Sequence, residues 1–365
     1  LFPYTTLFRS IGVLKMPTDK LDAQLTPRIF FNKVLAGTAS GTIIALIPNA
    51  VLGAILKYFA EYKIIEMIIH AAQIFQLATP LIIGGLIAFQ FGLTPQKMMI
   101  AGGAAFAGSG VIKFNSEVKG FIGAGTGDII NIMITASVAV LLLLVIDKKF
   151  GSVEIIALPI VVGVGAGLFG MLIYPYVTQI TVAIGKVINN FTDFQPIIMS
   201  ILIACSFAAL IISPITTVAI GLAIQLNGLS AGAAAMGIAA TTVVLVINSW
   251  NVNQSGVTLA VSLGGMKMMM PNLFKYPIIL IPCLFTATIS AIPVVLFNIS
   301  GTPQSAGFGL VGLVGPLASL DAGLGILPLL FSWFVVPIVA GLFSKFLFEK
   351  VLKLYDSKVV FAYQG

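Results

Sequence analysis

Apolar positions follow one another along this chain with few polar interruptions. Long runs occupy 34–57, 64–91, 98–112, 128–146, 155–177, 196–213, 215–226 with 230–247, 276–298 and 322–345. A helix needs about 17 to 25 such residues to cross a hydrocarbon core, so the pattern predicts an all-α integral membrane protein with about ten transmembrane helices. Proline falls within or at the ends of these runs, at Pro48, Pro80, Pro159, Pro175, Pro214, Pro282, Pro293, Pro328 and Pro337. Glycine clusters at GAGTG (123–127) and GFGLVGLVG (307–315). Lipid offers such backbone no hydrogen bonds, so it must be shielded by protein or line a wet cavity, which predicts re-entrant or broken helices. Residues 178–192, TQITVAIGKVINNFT, mix apolar positions with Thr, Gln, Lys and Asn, as expected of an interfacial helix or a connector between halves.

Composition agrees: 59% of the 365 residues are hydrophobic and 8% charged, too few charges to coat a soluble core of this size. The net charge of +7 does not indicate nucleic acid, because the lysines stand singly between apolar runs and at the two ends. Lys15, Lys20, Arg28 and Lys33 precede the first run, and Lys345, Lys350, Lys353 and Lys358 close and follow the last. Both termini are therefore expected in the cytoplasm, with an even number of crossings. The opening LFPYTTLFRS matches one reading frame of a common sequencing adapter, so residues 1–10 are expected to be an assembly artefact and are set apart from fold reasoning. Cys205 and Cys283 lie alone in apolar segments and read as packing residues.

The halves resemble each other. ALIP (45–48) matches LIYP (172–175), TPLIIGGLIAFQFGLTP (79–95) matches SPITTVAIGLAIQLNGLS (213–230), and AGGAAFAG (101–108) matches AGAAAMGIAA (231–240). FNSEVKG (114–120) then pairs with INSWNVNQSG (247–256). An internal repeat of about 37–146 and 163–298, followed by a segment 301–348, is the expectation, and transporters built from repeats bind substrate where irregular segments of the two meet. Asn115 and Ser116 in the first copy, with Asn248, Ser249, Trp250, Asn251, Asn253 and Gln254 in the second, are the candidate substrate-binding residues. Amides and hydroxyls both donate and accept, and an indole offers a flat apolar face, which suits a neutral polyhydroxylated ligand such as a sugar. The alternative is an exposed loop, where Asn, Ser and Gly are common.

The ionisable residues within the apolar region are candidates for proton or ion coupling. Glu66 and His70 stand four apart on one helical face, and either pair with each other or lie near the membrane surface. Glu117 belongs to the first polar element, Asp128 opens the helix after GAGTG as a plausible cap, and Asp321 follows the glycine-rich stretch. Each is a cavity residue or an interfacial anchor. No GxxxxGK[ST] occurs, so the chain encodes no ATP-driven pump. One His and two isolated Cys make no conventional zinc site, and no metal, cofactor or catalytic residue is assigned.

TASGTIIALIPNAVLGAIL (38–56), INSWNVNQSGVTLAVSLGGMKMMMPNLFKYP (247–277) and SAGFGLVGLVGP (305–316) resemble a family of bacterial membrane proteins classed with the membrane subunit, EIIC, of the phosphoenolpyruvate-dependent sugar phosphotransferase system. That family includes proteins similar to the perfringolysin O regulator. The resemblance spans roughly 28 to 348. It implies a plasma-membrane permease that binds a sugar and passes it inward while a separate phosphorylated EIIB protein phosphorylates it. The Gly-Ile-Thr-Glu signature of glucose-type EIIC subunits is not found, so no acidic sugar ligand is carried over, and no EIIB or EIIA domain lies in this sequence. The domain expectation is a cytoplasmic flank 11–33, an EIIC-like transmembrane domain 34–348 and a cytoplasmic tail 349–365, with the lipid bilayer as partner and a homodimer left open. An ion-coupled secondary transporter, or a membrane-bound regulator with a transporter-like fold, are the alternative functions.

Overall fold

The computed structural model describes residues 25–123, 125–146 and 149–364. The expected artefact at 1–10 and the flank as far as residue 24 lie outside the described residues.

Helix α1 (Pro27–Leu56) starts where Thr26 accepts a hydrogen bond from the Ile29 amide at 3.3 Å and Pro27 presets the first helical φ. Helices α2 (Lys63–Leu77) and α3 (Thr79–Gln90) meet at a bend of 49°, placed where Pro80 can occupy the first turn of a new helix but not the interior of a continuing one. Helix α4 (Pro95–Gly108) leads into a two-stranded hairpin, β1 (Ile112–Asn115) and β2 (Gly120–Gly123), and then α5 (Ile129–Ile146). Helix α6 (Glu154–Leu158) runs through a π-helical stretch at Pro159–Val164 into α7 (Gly165–Asn189). The second half holds α8 (Pro196–Leu210), the short α9 (Thr217–Ala223), α10 (Gly228–Ser249), α11 (Ser255–Ser262), α12 (Met270–Lys275) and α13 (Leu280–Leu296). Broken turns at 305–313 precede α14 (Val314–Asp321), α15 (Ile326–Leu330), α16 (Val336–Lys345) and α17 (Ser357–Val360).

These elements form two bundles with separate apolar cores. The first core draws on residues between Val34 and Ala166, with Met270 the one addition from later in the chain, and the second on residues between Ile188 and Phe361. In the first bundle α4 packs against α3, α5 and α7, while in the second α10 packs against α8, α13 and α16. The two small-residue matches, AGGAAFAG and AGAAAMGIAA, thus lie on the central helix of each bundle. Small residues let helices approach to backbone contact where lipid supplies no hydrophobic drive: a Cβ on Gly37 would stand 2.5 Å from Ile87 Cα, and one on Gly41 2.7 Å from Ile83 Cα. The mostly buried ion pair between Lys97 Nζ and Glu154 at 3.1 Å ties the start of α4 to α6.

Among the described residues six helices are long and apolar enough to cross a membrane, or seven if the bent α2–α3 pair is one span, where the apolar runs predict about ten. The difference lies in the interrupted runs. The 98–112 run gives α4, of 14 residues, because Gly110 turns the chain at φ 73. The 215–226 run gives a helix of only seven residues, ended by Gln225 at φ 50. The matched segments NSEVKG and NSWNVNQSG also differ in structure, the first closing a β-hairpin and the second a turn between α10 and α11.

Candidate functional site

Helix α7 belongs to both bundles, with Ala166 in the first core and Ile188 in the second. Its middle borders the seam between them, and along that seam lies a cavity of about 670 Å³, within the range of about 300–1,000 Å³ usual for small-molecule sites. One wall is the hairpin and the start of α5, a second is the Tyr174–Val182 face of α7, and a third is α9 with Phe308. Leu46 of α1 and Gln76 of α2 complete it.

The hairpin wall is built by short-range chemistry. Phe114 and Phe121 sit directly opposite across the strands, their ring centroids 5.5 Å apart and nearly edge-on. Asn115 Oδ1 accepts from the amides of Glu117 at 2.8 Å and Val118 at 3.1 Å, an Asx turn that leaves its NH₂ without a protein partner among the described residues. The chain then returns through Gly127 to Asp128, whose amide donates to Ser109 O at 3.1 Å. Asp128 Oδ1 accepts from the Asn131 amide at 2.9 Å and so caps α5, while Oδ2 accepts from Thr181 Oγ1 at 3.3 Å. A carboxylate at the N-terminus of an 18-residue helix is stabilised by the helix dipole. Behind it the buried Asn131 donates to Gly108 O at 2.6 Å and Gly170 O at 3.1 Å, locking α4, α5 and α7 together. The carboxylate is therefore held in the cavity wall by two helices before any ligand arrives.

The opposite wall depends on broken backbone. Thr217 Oγ1 donates to Gly307 O at 2.8 Å, and Gly221 approaches the Pro303 carbonyl so closely that a Cβ would lie 2.6 Å from it. Helix α9 is thereby mounted on the 303–308 segment, presenting Thr216, Val218 and Leu222 to the cavity beside Phe308.

The structure brings Asn115 and Asp128 of the candidate residues into this cavity, and does not bring Asn248 to Gln254 there. Asn115 and Asn248 thus stand in different surroundings, the first at the cavity and the second against the C-terminal tail. Asn248 is fully buried, its Nδ2 donating to Val244 O at 2.9 Å and its Oδ1 accepting from Ser357 Oγ at 2.9 Å and Tyr355 Oη at 3.3 Å. Asn253 donates to Phe361 O at 2.8 Å and Ser249 Oγ at 2.7 Å and accepts from the Tyr363 amide at 2.7 Å. Ser249 also bonds Thr258 Oγ1 at 3.1 Å. Trp250 is 70% exposed, Gln254 is exposed at the start of α11, and Asn251 borders a separate shallow depression with Lys345 and Tyr355. Ser116 and Glu117 are exposed at the hairpin turn, and Glu66 and His70 are exposed on α2. Asp321 is exposed and pairs with Lys57 at 3.3 Å.

Gln76, Lys113, Tyr174, Thr178, Thr181 and Thr216 also line the cavity, beyond the candidates that the sequence offers. A signal for three of them existed: Tyr174, Thr178 and Thr181 recur at helical spacing and put one polar stripe on an otherwise apolar helix. Lys113 stands over the Tyr174 ring at 5.4 Å. Among the described residues no group of three or more His, Cys, Asp or Glu side chains could hold a metal ion.

No curated protein and no solved structure gives a significant match to the chain. The family described as "Phosphotransferase system, EIIC" matches residues 32–361, nearly the whole length. Its bundles of apolar helices and that match identify the chain as a multi-pass membrane protein belonging to the EIIC family of the phosphotransferase system, a family that implies a sugar substrate and a separate EIIB partner.

Proposed function

We propose that the seam cavity is where this EIIC-type permease subunit binds its sugar, and that Asp128 is the principal polar contact. The observation that carries the reading is a carboxylate fixed at a helix N-terminus inside a cavity walled by both bundles. Such a group accepts hydrogen bonds from sugar hydroxyls. The Asn115 NH₂ and Gln76 supply further polar contacts, and Tyr174, Phe114 and Phe308 offer aromatic faces to the C–H side of a sugar ring. A separate phosphorylated EIIB then phosphorylates the sugar as it passes inward. Of the five ionisable residues considered for ion coupling, Asp128 alone borders the cavity.

The test is a thermal-shift screen of the purified protein against hexoses, N-acetylhexosamines, hexitols and disaccharides, followed by titration of the sugar that raises the melting temperature. Asp128→Asn should fold, since Asn is as good a helix cap as Asp. It should bind that sugar about 10- to 100-fold more weakly, because hydrogen bonds to a charged group contribute about 1.5–3 kcal/mol. Wild-type affinity in folded Asp128→Asn protein would rule the assignment out.

The same reading puts both termini in the cytoplasm, supported by Lys345, Lys350, Lys353 and Lys358 at and beyond the end of the last apolar span. An alkaline phosphatase fused after Gly365, active only outside the cytoplasm, should stay silent, and activity there would invert the orientation.

A further inference from the structure

Lys267 is buried to 6% exposure, and among the described residues no carboxylate pairs with it. It stands in the turn Met266–Met269, whose four residues are all buried. The turn is aimed by the glycine pair before it. Gly264 has φ 129, a conformation open to glycine, and Gly265 lies so close to the Ala260 carbonyl that a Cβ would stand 2.8 Å away. Nζ donates to two backbone oxygens, those of Ser213 and, at 2.9 Å, Ile215.

Those two carbonyls belong to the break between α8 and α9. The end of α8 carries the negative pole of the helix dipole, and Pro214 prevents the helix from continuing into the next turn. Carbonyls freed at such a break need donors where lipid and apolar side chains supply none. Ser213 Oγ closes part of the turn by accepting from the Ile215 amide at 3.2 Å and donating to Leu210 O at 2.7 Å. Lys267 satisfies the two outward carbonyls. The next residue after the clamped pair is Thr216, which lines the seam cavity and begins the wall made by α9.

We propose that Lys267 is the positioning residue of this cavity: its Nζ, reaching across from the α11–α12 connector, holds the α8–α9 break so that Thr216 and α9 stand where the cavity needs a wall. The clamp lies outside the cavity lining and acts through backbone, so it places the wall without touching a ligand. Its relevance to transport rests on the sugar-site reading above, but the geometry can be tested without any sugar.

The experiment introduces a single reporter thiol, by Thr216→Cys or, on the opposite wall, by Thr126→Cys, in protein whose Cys205 and Cys283 are replaced by Ala. The rate of modification by 2-aminoethyl methanethiosulfonate is then read for Lys267, Lys267→Arg, Lys267→Gln and Lys267→Met. With the clamp lost in Lys267→Met, the break loosens, and the thiol at position 216 should react at least tenfold faster while the thiol at position 126 keeps its rate. Lys267→Arg keeps two N–H donors on a long side chain, so it should restore the slow rate at position 216. Should Lys267→Met fail to fold, Lys267→Gln, whose shorter side chain cannot reach both carbonyls, is read in its place and should still accelerate the reaction at 216. An unchanged rate at 216 in the folded variant, or equal acceleration at both positions, overturns the proposal, the second because it marks a general loosening of the fold. Failure of every sugar to bind would strike the site reading and leave this result standing.

Discussion

Gly237→Ala is expected to cost about 3 kcal/mol or more, the upper end of what overpacking a core typically costs, and to abolish most of the folded yield. Gly237 faces α8 from the centre of α10, and a Cβ built there would lie 2.0 Å from the Ala204 carbonyl oxygen and 2.6 Å from its carbon. Both obstacles are backbone, so no rotamer change relieves them, and α8 and α10 would have to move apart along a contact that organises the second bundle. Gly232 meets the Ile299 carbonyl oxygen at the same 2.0 Å and should behave alike. Gly103 on α4 provides the contrast, because nothing lies within 4 Å of its added Cβ. Gly103→Ala should be neutral or stabilise by up to about 1 kcal/mol through helix propensity. Thermal unfolding of the three variants in detergent checks this, and a Gly237→Ala protein melting with the wild type would contradict the packing described.

The outline of this fold was legible because lipid imposes a coarse rule: apolar runs long enough to span become helices. The runs at 128–146, 276–298 and 322–345 appear as spans Ile129–Ile146, Pro277–Leu296 and Ile326–Val351. Where glycine and proline interrupt a run, hydropathy no longer sets the outcome, and local backbone does. So 215–226 is a seven-residue helix seated on the 303–308 segment rather than a crossing. Asp128 was legible for a local reason, since an acidic residue after a glycine turn and before an apolar run is where a helix cap belongs. The role of Asn248 was not legible. Its partners, Tyr355 and Ser357, lie 107 and 109 positions away, and nothing in NSWNVNQSG states whether its amides face a ligand, water or another part of the chain. Its likeness to NSEVKG could mislead for the same reason: two similar strings of amides and hydroxyls serve a hairpin turn in one place and a docking surface for the chain's own tail in the other.

That docking surface carries the second large effect. Truncation after Leu352 removes a segment whose Phe361 is fully buried and whose Tyr355 and Val360 nearly so. Asn272 loses both acceptors of its Nδ2, the Val360 and Ala362 carbonyls at 2.8 and 2.7 Å, in a position with no exposure. Asn248 loses both donors to its Oδ1, and Asn253 loses one bond at each end of its amide. Each buried polar group left unpaired costs about 1–3 kcal/mol, and exposing the pocket that held Phe361 adds about 2 kcal/mol. Water entering the vacated groove satisfies some of the amides, so the net loss should be nearer 3 to 5 kcal/mol than the full sum. For a chain of this length the melting temperature should fall by roughly 5 °C or more. The single change Asn272→Leu distinguishes hydrogen bonding from burial, because Leu fills similar volume but offers no donor to the two tail carbonyls. It should reproduce at least about 1 kcal/mol of the loss with the tail present. If the truncated protein melts with the full chain, the tail does not hold to its three asparagines, and the role of Asn248 and Asn253 as tail anchors falls with it.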